Sequence, residues 1–168
     1  MQPAQKKFLI RFALFLVGFY ALVAVQPVND AVVLPFTGLL VKVSAAILRA
    51  VGEPVVTRGT VIQSALFAVD VKNGCNGIEA ALLLLAAMLA FPASAKARAA
   101  GIAAGLLAIQ LVNLFRIVSL FWLGAHRRDL FDLFHAAIWQ TLLILLAVGI
   151  FLAWGRKLRG GEGAEARA

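Results

Sequence analysis

The sequence predicts an all-α integral membrane bundle. It should have about four transmembrane helices, an interfacial helix in the outer leaflet and a small extramembrane β-hairpin. Three observations carry that prediction. Of the 168 residues, 62% are hydrophobic, where a soluble domain has about 45–50%. Mean hydropathy is +0.94. The apolar residues also fall into runs of the ~20 residues that a spanning helix needs, with basic residues at their flanks.

The elements follow in order. Phe8 to Val25 is the first span, preceded by Lys6 and Lys7 and holding Arg11 near its start. Ala-Leu-Val-Ala ahead of Val25-Gln26-Pro27 looks like a leader cleavage site, but the run is long for a leader and reads as a span. Residues 76–92, 99–124 and 134–154 are the other three. The run Ala31 to Val51 holds Lys42 and Arg49, off a stripe of Phe36, Leu39, Leu40, Val43, Ile47 and Val51, and that pattern suits a helix lying on the surface. Parity agrees. Lys6 and Lys7, then Lys96 and Arg98, then Arg156, Lys157 and Arg159 all belong on the cytoplasmic side, so an even number of crossings must separate each cluster from the next. Residues 54–72 change to short β-prone segments (Val55-Val56-Thr57, Thr60-Val61-Ile62, Leu66 to Val71) around Arg58-Gly59. Open sheet edges do not sit in hydrocarbon, so this hairpin lies outside. Residues 1–158 form one membrane domain, and 159–168 read as a disordered tail.

The net charge of +8 is spent on topology and anionic lipid, so membrane lipid is an expected partner and nucleic acid is not. One cysteine excludes an internal disulfide, and no Cys/His cluster has metal spacing. No cofactor is expected.

The predicted topology brings separated polar residues to one end. Cys75 lies in Lys-Asn-Gly-Cys-Asn-Gly-Ile-Glu, just ahead of the second span. Asn76 is a candidate N-cap, and amides at a helix start favour a thiolate. The flanking Gly74 and Gly77 leave room for a close backbone approach. Glu79, four residues on, is expected on the same helix face. Arg116 lies about 12 Å inside the outer end of its span, where a cation costs at least ~2.5 kcal/mol and needs a partner or a wet cavity. Asn113 shares its face. His135 opens the last span, with Asp132 three residues earlier to orient its ring. A thiol nucleophile, an imidazole to move its proton and a guanidinium to hold an oxyanion suit acyl transfer. A second reading is a non-enzymatic assembly or carrier subunit, with an Arg116–Glu79 pair tying two helices together. A redox carrier would need a second cysteine.

These residues resemble the exosortase/archaeosortase family of membrane cysteine transpeptidase-like enzymes. The resemblance rests on Cys75-Asn76-Gly77 at a span start, Asn113-Leu114-Phe115-Arg116-Ile117 in a later span, and His135 beyond it. It covers roughly Glu53 to Trp154, and the short chain looks like the compact, exosortase H-like type. It implies cleavage of exported proteins that carry a C-terminal sorting signal: a short motif, a hydrophobic span and a basic tail. The cut would be made at the outer face of the bacterial inner membrane. By the same resemblance Cys75 is the nucleophile, Arg116 the carbonyl or oxyanion partner, His135 the acid/base and Asn113 a supporting residue. Asn76 stands where many members have Ser, Ala or Thr, which leaves the preferred motif open.

Overall fold

The computed structural model describes residues 2–165, with side chains described through Leu158. The chain is a helical membrane protein with a small sheet. Helix α1 (Pro3–Ala24) is followed by α2 (Gln26–Val28), a π turn (Asn29–Val33) and α3 (Leu34–Ala50), which run on as one helix. Strands β1 (Val56–Arg58), β2 (Val61–Gln63) and β3 (Ala68–Asp70) come next, then α4 (Ile78–Ala90) and α5 (Ala95–His126). Helix α6 (Arg128–Leu133) passes through a second π turn (Phe134–Ile138) into α7 (Trp139–Glu165). Among the described residues four helices are long and apolar enough to cross a membrane: Pro3–Ala24, Gln26–Ala50, Ala95–His126 and Arg128–Leu158.

Local chemistry sets the breaks. Phe91 ends α4 in an extended conformation, as expected of a residue ahead of a proline. Ser94 then caps α5 by accepting from the Ala97 N–H at 3.3 Å. At the end bearing Lys6, Lys96 and Arg156, here the basic end, Phe8 meets Phe91 and Phe151, and Phe91 meets Trp154. The start of α1, the end of α4, the start of α5 and the end of α7 therefore share one end, the alternation that parity requires. The Gly101-x-x-x-Gly105 face of α5 is the seam. A Cβ on Gly101 would strike Trp154, and one on Gly105 would come within 2.6 Å of Leu84.

At the opposite end, Gln26–Ala50 lies along the last turns of α5. Asn29 accepts from the Asn73 amide at 3.1 Å, and Thr37 accepts from Asn76 at 3.0 Å. Just past the helix, Glu53 pairs with His126 at 3.6 Å. Leu40, Val41, Ala45 and Leu48 pack with Ile117, Phe121 and the sheet residues Val55, Ile62 and Val71. So this helix has the length of a span, yet these contacts hold it to the site end of the bundle.

The expected hairpin is part of a three-stranded antiparallel meander ordered β1-β2-β3. Gly59 (φ +58°) turns the first hairpin. The Ser64 hydroxyl turns the second by accepting from the Leu66 and Phe67 N–H groups, each at 3.2 Å. The sheet adds β3 because Leu66 to Val71 alternates. Phe67 and Val69 face the core and Val71 is buried, while Ala68 and Asp70 face out. The last helix also outruns its expected end. Its backbone stays helical to Glu165, since extending an existing helix needs no new nucleus. Residues 166–168 of the expected tail lie outside the described residues.

Candidate active site

The site is built where α4 starts low beside a longer neighbour. Helix α4 has 13 residues, about 20 Å, and Gly77 at its head abuts Asn113. Helix α5 rises well past that level to His126, so the loop Lys72–Gly77 sits in the lee of α5. Gly74 and Gly77 both have φ in the left-handed region, +92° and +74°, and this folds the loop tightly enough to present Cys75. Gly77 has a second reason to be glycine, because a Cβ there would lie 2.9 Å from Asn113 Cγ. The close approach is thus to a side chain and not to another backbone. Gly74 has open space around it, and only its turn demands glycine.

Three side chains meet. Cys75 Sγ lies 3.0 Å from His135 Nε2, and Arg116 Nη2 points at the same sulfur from 3.8 Å. Arg116 is 2% exposed. Its Nη1 donates to the Gly74 carbonyl at 3.1 Å and to Gln140 Oε1 at 3.4 Å. No carboxylate lies within ion-pair reach of it among the described residues. The Arg116–Glu79 pair of the second reading is therefore not formed. Val69 of β3 and Val71 just after it, with Ile117 and Leu120 from α5, roof the cluster and leave a cavity of about 10 Å³, at the limit for a single water.

His135 is aimed by a ring, not by a carboxylate. Phe131, four residues earlier, stacks on the imidazole with centroids 5.4 Å apart and planes 7° from parallel. Asp132 makes no contact with His135. It is exposed, lining a surface groove with Arg128 and Phe131. Phe131 occupies the place beneath the ring that the spacing assigns to Asp132. If Nδ1 carries the imidazole proton, Nε2 is the lone-pair nitrogen that accepts the S–H.

Two further expectations are corrected. Gly77, not Asn76, is the N-cap of α4. Asn76 is fully buried and works as a tether: Oδ1 accepts from the Ile78 N–H at 3.2 Å, and Nδ2 donates to Thr37 Oγ1 and Asn73 Oδ1. Because the helix begins at Ile78, Cys75 is three residues outside it. The Cys75 N–H is spent on the Lys72 carbonyl at 2.9 Å, and Glu79 does not share a helical face with the thiol. Burial pushes the Cys75 thiol above its ordinary value; Arg116 pulls it back and Glu79 adds to the rise. The rise runs against the helix-end thiolate that the sequence predicts.

Asn113 is wholly buried beneath Gly77, with neither amide oxygen nor nitrogen hydrogen-bonded to protein. Gln140, Phe131 and Thr37 are the site residues that sequence reasoning passed over. Gln140 did carry a signal, as a neutral polar residue inside the apolar run that opens the last span.

Over residues 4–155 the sequence matches the transmembrane exosortase family. The chain belongs to that family. The match starts well ahead of the motif-bearing region and takes in α1 and the helix Gln26–Ala50, so the exosortase fold here includes the whole bundle. No curated protein and no solved structure is significantly similar to this exosortase-family chain.

Proposed function

We propose that the protein is a membrane-embedded cysteine peptidase or transpeptidase that processes C-terminal sorting signals of exported proteins. The observation that carries this reading is the Cys75 Sγ–His135 Nε2 distance of 3.0 Å with the Arg116 guanidinium on the same sulfur. In the proposed reaction His135 Nε2 takes the thiol proton as Sγ attacks the scissile carbonyl carbon. Arg116 holds the resulting oxyanion. The C–N bond then breaks, with the proton passing from Nε2 to the leaving amine, and a thioester remains on Cys75. Water or an incoming amine attacks that thioester and frees the sulfur.

The clustering of Lys6, Lys96, Arg156 and Lys157 at the end opposite the site supports placing that end in the cytoplasm. The site then faces the periplasm from the inner membrane. The test is co-expression with a co-encoded protein whose tail has a short motif, an apolar span and a basic end. The wild type should process the tail and leave a trappable thioester at Cys75. Cys75→Ala should insert normally and process nothing. Processing by Cys75→Ala would defeat the proposal.

A further inference from the structure

The roof over the cysteine is also the edge of a sheet. In the β2–β3 hairpin the Ser64 N–H donates to the Phe67 carbonyl, and the Val71 N–H donates to the Thr60 carbonyl. With Ile62 opposite Val69, residues 67, 69 and 71 form the narrow pairs that turn their N–H and C=O groups toward β2. By the same alternation Ala68 and Asp70 turn theirs to the far side. Strand β3 is an outer strand of the sheet, and no backbone bond to Ala68 or Asp70 from that side occurs among the described residues. Such a row of free donors and acceptors is a template for another extended chain.

What faces that edge is the helix that carries His135. A groove of about 560 Å³ runs between Ser64–Ala68 and Arg128, Phe131 and Asp132 of α6. Its floor is aromatic, with Phe67 edge-on to Phe131 at 5.3 Å. Phe131 in turn stacks on His135, so one ring separates the groove lining from the proposed general base. Arg128 bridges from α6 to the hairpin by donating to the Leu66 carbonyl, at 2.6 Å. The strand itself leads through Val71 and Lys72 into the loop of Cys75. Edge and thiol are thus joined by one short stretch of chain.

We propose that the free edge of β3 binds the extended polypeptide segment next to the scissile bond as a fourth strand, and so delivers that bond to Cys75. The inference rests on the peptidase reading above. Main-chain bonds to Ala68 and Asp70 supply affinity for any extended chain, and the groove beside Phe131 receives its alternate side chains. An incoming strand also gives β3 cause to shift, which lifts Val69 and Val71 from the closed cavity over Cys75.

The probe is the co-encoded tail-bearing protein, presented to the full-length enzyme in lipid vesicles. Ala68→Pro deletes an N–H that the sheet does not use, a substitution that edge strands tolerate. Loss of one strand-addition bond should slow processing about five- to tenfold, while iodoacetamide still labels Cys75 at the wild-type rate. Processing within twofold of wild type overturns the proposal. Where the proline variant does not accumulate, amide exchange in Cys75→Ser decides. Tail binding should slow exchange at Ala68 and Asp70 by about tenfold or more and leave Val69, already bonded to β2, unchanged. Tail binding without protection at Ala68 and Asp70 overturns strand addition and leaves the peptidase reading intact. A wild-type protein that forms no thioester with the tail overturns both.

Discussion

Replacing Gly77 by alanine tests why the loop before α4 has the shape it has. Two costs are separable. At φ +74° an L side chain pays about 1–2 kcal/mol for the left-handed conformation. The new Cβ would also stand 2.9 Å from Asn113 Cγ and 3.2 Å from Asn113 Cβ and Nδ2. Asn113 is completely buried and has no solvent to swing into, so relief means overpacking, about 1–3 kcal/mol. The two together give about 2–5 kcal/mol, measurable by detergent-induced unfolding in mixed micelles. The double variant Gly77→Ala with Asn113→Ala separates them. It removes Cγ and Nδ2 but keeps Cβ at 3.2 Å, so it should recover most of the overpacking share and leave the backbone share in place. Asn113→Ala alone should cost little beyond its small cavity, because the amide it deletes has no partner. A single Gly77→Ala within about 0.5 kcal/mol of wild type would refute the argument, and so would additive single variants.

The raised thiol implies a pH profile. Alkylation of Cys75 should have its midpoint above the ~8.5 of a free thiol, move higher in Arg116→Met and lower in Glu79→Gln, following the signs of their charges; a wild-type midpoint below 8.5 would show that burial does not dominate. Arg116→Met strands no buried carboxylate, so it should unfold within about 1–3 kcal/mol of wild type while tail processing falls about 10²–10³-fold. Wild-type processing by that variant would remove Arg116 from the chemistry. Thr37→Val keeps the shape but takes the acceptor from Asn76 Nδ2, which should cost about 1–2 kcal/mol in the same unfolding assay; no change would mean that Asn73 alone satisfies the amide.

The helical bundle and the meeting of Cys75, Arg116 and His135 were legible in the sequence, because hydropathy and charge act over whole segments and a buried arginine needs company wherever it sits. Span lengths were less so: Gln26–Ala50, expected on the surface, is long enough to cross, and the expected span 76–92 holds a helix of 13 residues. The orientation of individual groups was not. Asp132 and Phe131 are both one turn from His135, and no spacing rule says which of them the ring will face; the answer depends on Phe67 packing against Phe131 from a strand more than sixty residues away. Asn76-Gly77 looks like a helix start that would favour a thiolate at Cys75. Yet a left-handed Gly77 delays the helix to Ile78 and removes Cys75 from its dipole. Two π turns, one of them containing His135, leave no periodicity that a short window can detect. The third strand was visible as a segment, but its pairing is fixed by the Ser64 turn, which composition alone does not reveal.

The raised thiol and the unpaired arginine have one explanation. A guanidinium buried without a carboxylate is costly, and among the described residues it is met by the Gly74 carbonyl, the Gln140 amide and the Cys75 sulfur. A resident carboxylate would lower that cost, but it would also neutralise the field that Arg116 can apply. In the proposed reaction the missing anion is created on demand, first as a thiolate when the proton moves to His135, then as the oxyanion of the attacked carbonyl. At 3.8 Å and an effective dielectric near 20, the attraction between guanidinium and thiolate is about 4 kcal/mol. That attraction favours the thiolate against the burial that raises the thiol. The strain carried by the resting protein and the stabilisation of the reacting one are therefore the same vacancy beside Arg116. An acidic residue introduced there, as in Gln140→Glu, should raise stability and lower processing together; a variant that gained in both would break the link.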